Sequence, residues 1–201
     1  GLVGSEMCIR DSLSPAQAAQ SALDALIVLV PHDSKSLEGK DPLSGLIRDV
    51  ARRGDLEAGV GKCLFIYRAG EVKASRLVLV RAGDGGAVAV RKAVAAGMAS
   101  VKAPGIKKLG VLLSLLPDSA KAVRYAMTAV SESTYAYVTT KPSAKARDIR
   151  QVLMGVHDAA PARAGFRMGQ ALVTGVELAR EWANRPANHA TPSHLADVAR
   201  K

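Results

Sequence analysis

Five apolar runs along the chain predict β-strands, and amphipathic segments between them predict helices. A run that is apolar at consecutive positions, as in 25–30, is typical of a strand buried on both faces of a parallel sheet. The predicted strands are 25–30, 63–67, 76–80, 108–116 and 149–156. The predicted helices are 14–23, 42–53, 87–102, 120–137 and 161–184. Strands that alternate with helices predict a mostly parallel α/β sheet with helices on both faces.

Start and stop signals agree with this alternation. Asp41 followed by Pro42 is typical of a helix N-terminus, and Gly54 suits the position after the last turn. The link 68–75 contains Gly70 and charged residues, which predicts a hairpin between the second and third strands. The segment Lys-Pro-Ser-Ala-Lys at 141–145 predicts a linker before the fifth strand.

The last predicted helix, which begins at Pro161, carries a polar and an apolar stripe, each recurring every three or four residues. The polar stripe is Arg163, Arg167, Gln170, Thr174, Glu177 and Glu181. The apolar stripe is Met168, Leu172, Val176, Ala179 and Ala183, with Trp182 beside its last turn. Pro186 predicts the end of this helix, and Thr191-Pro192 predicts the start of another. We expect the later turns of the apolar stripe to be only partly covered within this chain.

The residues around this helix end fit the pattern Gly-x3-Ala-Arg-x3-Asn-x-Pro-x-Asn-x3-Pro-x2-Leu-Ala. The residues that fill it are Gly175, Ala179, Arg180, Asn184, Pro186, Asn188, Pro192, Leu195 and Ala196. The pattern resembles the junction between the N-terminal and catalytic domains of the leucyl aminopeptidase family, the M17-type cytosolic metallo-aminopeptidases. Further upstream, the family's helix–loop–strand order is matched by Arg53, Gly54, Asp55, Leu56 and Gly61. Arg81-Ala82-Gly83 departs from the apolar, glycine-rich end that the family's third strand usually has.

The resemblance implies a macro-domain-like α/β fold, a mostly parallel sheet flanked by helices and followed by a long interdomain helix. We divide the chain into an N-terminal α/β domain at 13–160, the interdomain helix at 161–184 and the start of a catalytic domain at 185–201. The whole protein is then expected to be a metallo-aminopeptidase that releases N-terminal amino acids from peptides. Its catalytic domain is expected to continue beyond Lys201.

In the family, two divalent metal ions (zinc, manganese or magnesium) carry the chemistry. They are held by segments resembling Gly-Lys-Gly-x-Thr-Phe-Asp-Ser-Gly-Gly and Asn-Thr-Asp-Ala-Glu-Gly-Arg, and neither occurs in this chain. We therefore assign no catalytic, cofactor-binding or metal-binding residue and expect the chain alone to be inactive. The resemblance also implies a cytoplasmic homohexamer. The expected partners are the protein's own catalytic domain, its sister subunits and peptide substrates.

The first residues, 1–12, differ in character from the rest. They have neither the charged start nor the long apolar run of a signal peptide. They resemble the adapter-derived sequence found at the ends of open reading frames in assembled sequence data, so we treat them as non-native and exclude them from the fold prediction. The two distant cysteines, Cys8 and Cys63, predict a reducing compartment without a disulfide framework.

Composition adds one alternative function, because the net charge is +10. Such a charge favours weak, non-specific binding to DNA or another nucleic acid. The basic residues are scattered in pairs, however, without the interleaved aromatic residues of a specific site. No apolar run reaches the roughly 20 residues that span a membrane, so no membrane partner is expected.

The glycine cluster at 83–86 follows a strand and opens a helix, where free N–H groups can hold a phosphate. A nucleotide or ADP-ribose reader is therefore a further alternative. The cluster lacks the dinucleotide and P-loop fingerprints, which favours a simple tight turn.

The remaining candidates favour structural roles. His189 and His194 are five residues apart, whereas a helical metal pair is four apart, so these histidines are expected to be structural or solvent-facing. Cys63 lies within an apolar strand and is expected to be inert. Asn184 and Asn188 are expected to cap or pin the turn around Pro186.

Overall fold

Six strands and six helices make up the part of the chain that the computed structural model describes, residues 6–10, 15–34, 37–101, 105–140 and 149–200. The strands are β1 (Glu6–Arg10), β2 (Ala25–Pro31), β3 (Cys63–Tyr67), β4 (Arg76–Gly83), β5 (Lys108–Leu112) and β6 (Gln151–Gly155). The helices are α1 (Pro15–Ala19), α2 (Pro42–Arg53), α3 (Ala87–Ser100), α4 (Ser119–Thr134), α5 (Ala159–Ala183) and α6 (Pro192–Ala199).

The strands form one sheet in the order β1-β6-β5-β2-β4-β3. All neighbours run parallel except β3, which pairs antiparallel with β4 through the predicted hairpin. Connections between parallel strands pass through helices, because a tight turn cannot join parallel neighbours. The predicted class, an α/β fold with a mostly parallel sheet flanked by helices, is confirmed.

Alternate residues of β2 face two different cores. Ile27 and Leu29 pack with α3, α4 and the first half of α5, whereas Leu26 and Val28 pack with α1 and α2. All four side chains are completely buried. A strand covered on both faces has no solvent-facing side, which explains its continuous apolar sequence.

Helix ends follow the predicted signals with small shifts. The Asp41 carboxylate accepts a hydrogen bond from the Ser44 N–H at 3.0 Å, and Gly54 ends α2 in the left-handed region. Helix α5 begins at Ala159 and not at Pro161, because Asp158 caps it by accepting from the Ala160 N–H at 2.9 Å. Proline is tolerated in a first turn, where its missing N–H has no helical partner.

Strand β5 ends at Leu112, whereas its apolar run predicts a strand to residue 116. The Leu116 N–H donates to the Leu113 carbonyl at 2.9 Å and closes a turn there. Both leucines stay buried. The apolar pattern therefore continues beyond the end of the strand, because the residues of the turn are also buried in the core.

Arg81, which departs from the family pattern, is a buried side chain at the end of β4. Its guanidinium donates to the Pro31 carbonyl, the Ser34 hydroxyl and the Leu56 carbonyl. Burial lowers the pKa of this guanidinium. Arg81 therefore ties together the loops that follow β2 and α2.

The N-terminal segment contributes an edge strand. β1 pairs in parallel with β6, from Glu6 opposite Gln151 to Arg10 opposite Gly155. Residues 6–10, which were excluded from the fold prediction, are thus part of the sheet, and an adapter-derived origin of the segment 1–12 stays a prediction. Strand pairing uses backbone N–H and C=O groups, so an edge accepts an added strand with little demand on its sequence.

Two further expectations concern segments at the margins. None of the helices in the described ranges is both long and apolar enough to cross a membrane. The predicted linker at 141–145 lies outside the described residues.

Candidate functional site

The long helix α5 packs against α4 through small residues. The residues buried on its inner face recur every three or four positions: Ala162, Phe166, Gly169, Val173 and Glu177. A Cβ atom added at Gly165 would lie 2.8 Å from the Ala120 carbonyl oxygen, and one at Gly169 would lie 2.6 Å from the Met127 sulfur. These glycines therefore allow a close approach of the two helices.

Glu177 differs from the predicted pattern, because the sequence places it on the polar stripe and the structure buries it. Its carboxylate accepts a hydrogen bond from the Ser131 hydroxyl of α4, with 2.8 Å between the oxygens. Glu177 lies one helical turn after the buried Val173, at the margin of the polar stripe. The packing of α5 against α4 therefore places the Glu177 side chain between the two helices. A buried carboxylate requires such donors, since burial of an unpaired charge is strongly unfavourable.

The predicted apolar stripe is exposed. The exposed fractions are 52% for Met168, 45% for Leu172 and 39% for Val176, and Ala179 is exposed as well. We call these four residues the outer stripe. Large apolar side chains exposed on consecutive turns of one helix form a patch of the kind that marks interaction sites.

Gly175 lies one turn after Leu172 on the open side of α5. A Cβ atom added at Gly175 would have no neighbouring atom within 4 Å. Glycine in an exposed helix interior destabilises the helix by about 1 kcal/mol relative to alanine. No neighbour in the described part of the chain requires this glycine, and the same holds for Gly45 in α2.

Tyr135, directly after α4, holds the C-terminal end of α5. The Asn184 side-chain amide donates to the Tyr135 hydroxyl at 3.3 Å and to the Arg180 carbonyl at 2.8 Å. The Arg180 guanidinium lies over the Tyr135 ring, 5.4 Å from its centroid. Two residues of the junction motif thus converge on a tyrosine that no sequence pattern singles out.

The turn after α5 leads directly into α6. The Thr191 hydroxyl accepts from the His194 N–H at 3.3 Å, and Pro192 is the first residue of α6. The Trp182 ring centroid lies 4.0 Å from the Arg185 guanidinium carbon and 5.0 Å from the His194 ring centroid. This cluster joins the end of α5 to the start of α6.

The other motif residues lie on the surface of the same junction. The Pro186 carbonyl accepts from the backbone N–H groups of His189 at 2.8 Å and Ala190 at 3.0 Å. Asn188 and Leu195 are exposed, and the Asn188 side chain makes no hydrogen bond within the described ranges. The motif as a whole forms a helix end, a turn and a helix start.

The glycine cluster at 83–86 forms a tight strand-to-helix turn. Gly83 has a φ of 58°, and a Cβ atom there would lie 2.9 Å from a Val60 methyl group, so both conformation and space require glycine. The Gly86 N–H donates to the Asp84 carboxylate at 2.9 Å. This carboxylate engages an N–H that a phosphate would need at the start of α3, so the geometry does not favour nucleotide or ADP-ribose binding.

An open groove of about 340 Å³ follows the carboxyl ends of β5 and β6, a common ligand position in parallel sheets. Both helices that begin there carry acidic caps, Asp118 on α4 and Asp158 on α5. Hydrogen bonding from Lys121 holds the pKa of the Asp118 carboxyl below its usual value. The two carboxylates make the groove unsuited to a phosphate.

The predicted histidines and cysteine form no reactive cluster. The four histidines are exposed, and no three His, Cys, Asp or Glu side chains of the described part lie close enough to hold a metal ion. Burial raises the pKa of the half-buried Cys63 thiol, against a smaller opposing effect of a hydrogen bond with Ser100. A raised pKa reduces the thiolate fraction, which is the reactive form.

The basic residues are spread over the surface, and several face acidic partners. Arg53 pairs with Asp49 at 3.1 Å, Lys62 with Glu57 at 2.6 Å and Arg91 with Glu132 at 2.8 Å. These pairs neutralise part of the positive surface locally. Nothing in this arrangement favours the nucleic-acid alternative.

Comparisons with known proteins bear on the whole chain. The sequence profile of the cytosol aminopeptidase family, N-terminal domain, matches residues 27–144. A probable cytosol aminopeptidase of Verminephrobacter eiseniae is 47% identical over 189 residues, which cover 94% of this chain and 36% of the relative. One of Albidiferax ferrireducens is 44% identical over 183 residues, which cover 91% of this chain and 38% of the relative.

Among solved structures, a tomato leucine aminopeptidase mutant matches with a TM-score of 0.73 at 18% identity, covering 98% of this chain and 41% of that chain. At this low identity the likeness concerns the fold. The chain spans little more than a third of the length of the curated relatives it matches.

Proposed function

The chain belongs to the cytosol aminopeptidase family and corresponds to its N-terminal domain, and on that basis we propose that the whole protein is a leucyl-type metallo-aminopeptidase releasing N-terminal amino acids from peptides. The observation that carries the proposal is the 47% identity with a probable cytosol aminopeptidase over 94% of this chain. Within such an enzyme this chain supplies no catalytic group. Its role is to support and position the catalytic domain.

The outer stripe of α5 is the surface that we assign to docking of the catalytic domain. We take 161–184 as the interdomain helix and 185–201 as the start of the catalytic domain. The exposure of Leu172 and its neighbours and the open side of Gly175 support this assignment. The hydrogen bond between Glu177 and Ser131 on the inner side of α5, and that between the capping residue Asn184 and Tyr135, hold the helix with the outer stripe outward.

Peptide hydrolysis in the proposed enzyme takes place at two divalent metal ions, zinc, manganese or magnesium, in the catalytic domain. Such a pair supplies polarisation of the peptide carbonyl and activation of water. The described residues of this chain do not fit a metal site, because they contain no cluster of three suitable side chains. We extend the proposal to a cytoplasmic homohexamer on the resemblance to the family alone.

The direct test joins this chain to the catalytic domain of the Verminephrobacter eiseniae relative. Hydrolysis of leucine-p-nitroanilide is measured with manganese or zinc for the fusion and for this chain alone. We expect turnover by the fusion, its loss with a chelator, and none by the chain alone. Chelator-sensitive turnover by the purified chain alone, or a folded but inactive fusion, would contradict the proposal.

A matched pair of substitutions tests the docking surface in the same fusion. Leu172→Asp places a charge in the proposed interface, and Val88→Asp places one on α3, where Val88 is 81% exposed. Burying an unpaired charge costs several kcal/mol, so Leu172→Asp should lower activity by about tenfold or more. Val88→Asp should leave activity unchanged, and equal effects of the two would remove α5 from the interface.

A further inference from the structure

Strand β3 is an open edge of the sheet with exposed aromatic side chains. No strand of the described chain lies beyond it, and Phe65 and Tyr67 are 44% and 58% exposed. The whole chain has only two phenylalanines, four tyrosines and one tryptophan. This single edge strand therefore carries two of the seven aromatic residues. Aromatic residues are enriched at protein interfaces.

The same residues direct their backbone groups outward. The Arg81 N–H donates to the Lys62 carbonyl, and the Arg68 N–H donates to the Ser75 carbonyl, both at 2.9 Å. In an antiparallel pair, only alternate residues bond to the partner strand. The backbone N–H and C=O groups of Leu64 and Ile66 therefore bond to β4. Those of the odd-numbered residues 63, 65 and 67 point away from it.

Positive charge is concentrated at one end of this edge. Lys62 precedes β3, Arg68 follows it, and Arg76 of β4 lies opposite Tyr67. Arg68 and Arg76 have no carboxylate partner in the described part of the chain, and Lys62 pairs with Glu57 at 2.6 Å. The positive charge without a carboxylate partner therefore lies at the Arg68 and Arg76 end of β3, whereas the charge of Lys62 is offset by Glu57.

We propose that β3 binds an extended polypeptide segment of apolar residues that carries an acidic residue at the end beside Arg68 and Arg76. The segment adds a strand to the sheet through the outward backbone groups of Cys63, Phe65 and Tyr67, a known mode of peptide recognition. Its apolar side chains pack on the two exposed aromatic rings. Its acidic end meets the guanidinium groups of Arg68 and Arg76.

This surface is separate from the proposed docking helix. β3 and β1 are the two opposite edges of the sheet, and α5 packs against α4 and lies near β1. A partner on the outer stripe therefore leaves the β3 edge accessible. The proposal does not depend on the peptidase activity of the whole protein.

The test uses the 201-residue chain and a fluorescein-labelled peptide, acetyl-Glu-Ser-Val-Thr-Val-Thr-Val-Ser-Glu. The acetyl group leaves no free amino end for an aminopeptidase. The control peptide has lysine in place of both glutamates. Fluorescence anisotropy should show binding of the acidic peptide that is at least about tenfold tighter, because like charges oppose the control.

Two substitutions at one position separate backbone pairing from general packing. Phe65→Pro removes an outward N–H without removing a bond to β4, since proline is tolerated on edge strands in this orientation. Phe65→Val keeps the N–H. Matching circular dichroism spectra establish that both variants are folded. We expect Phe65→Pro to abolish binding. Phe65→Val should retain the affinity within about fivefold, because it loses only one aromatic contact.

Hydrogen exchange on the unmodified chain keeps the test decisive if Phe65→Pro fails to fold. The acidic peptide should slow exchange of the Cys63, Phe65 and Tyr67 amides, while those of Leu64 and Ile66 change little. Absence of binding, equal affinity for both peptides, or protection confined to α5 would overturn the proposal. A dimer that protects the same three amides without peptide would also overturn it, in favour of a second copy.

Discussion

At the scale of single residues, the contact between Glu177 and Ser131 joins α5 to α4 at the level where the outer stripe is exposed. We expect Ser131→Ala to lower the free energy of unfolding by about 1–3 kcal/mol, because a buried carboxylate loses a donor. Ser133→Ala is the control, since the Ser133 hydroxyl donates only to the Ala129 carbonyl of its own helix. Urea unfolding measures both, and equal effects would show that Glu177 does not depend on Ser131.

Cys63 gives a prediction about pH. Burial raises the pKa of its thiol, so the folded state favours the protonated form. This contribution to stability is present below the ordinary thiol pKa and is lost as pH rises through the raised value. In a Cys8→Ser variant, alkylation of Cys63 by iodoacetamide should be slower than that of free cysteine at pH 8. The rate should still be increasing above pH 9, and a plateau below that pH would contradict the raised pKa.

At the scale of elements, two glycines of α5 predict opposite outcomes for the same substitution. Gly175→Ala should raise the free energy of unfolding by about 0.5–1 kcal/mol, since alanine favours the helix and the site is open. Gly165→Ala should lower it by about 1–3 kcal/mol, because the new methyl group would meet the Ala120 carbonyl oxygen. Gly45→Ala in α2, another open site, is the control and should also stabilise. Thermal unfolding compares all three, and destabilisation by Gly175→Ala would show a packing role within this chain.

The sequence predicts the positions of helices and strands better than it predicts which face of a helix is buried. β2 and α2 are foreseeable because an apolar run, an Asp-Pro start and a Gly stop act locally. The end of β5 is missed because Leu113 and Leu116 stay buried in a turn.

The two faces of α5 require tertiary information. On the inner face, Gly169 and Glu177 interrupt the apolar period of Phe166 and Val173, whereas the clear apolar stripe is exposed. Ser131 and Glu177 are separated by 46 positions, and no local pattern connects them. The outer stripe itself is predictable, because incomplete burial of a strong apolar period leaves surface for a partner.

At the scale of the whole molecule, an uncovered outer stripe should cause the isolated chain to associate. The net charge of +10 opposes aggregation in general, but it does not remove an apolar patch. Sedimentation should show association that increases with protein concentration. Leu172→Asp should weaken it by about tenfold, since a charge in an apolar contact is costly, and Val88→Asp should not.

Trp182 reports on the same surface, because it lies half-exposed beside the last turn of the outer stripe and is the only tryptophan. The Arg185 guanidinium covers one face of its ring and the His194 ring lies beside it, so solvent reaches the indole in part. In dilute, monomeric protein we expect red-shifted emission that acrylamide quenches readily. On association, emission should shift to the blue and quenching should fall together with the sedimentation change. Blue-shifted, protected emission from a demonstrated monomer would mean that this end of α5 is already covered, and the outer stripe would then lose its role as an interface.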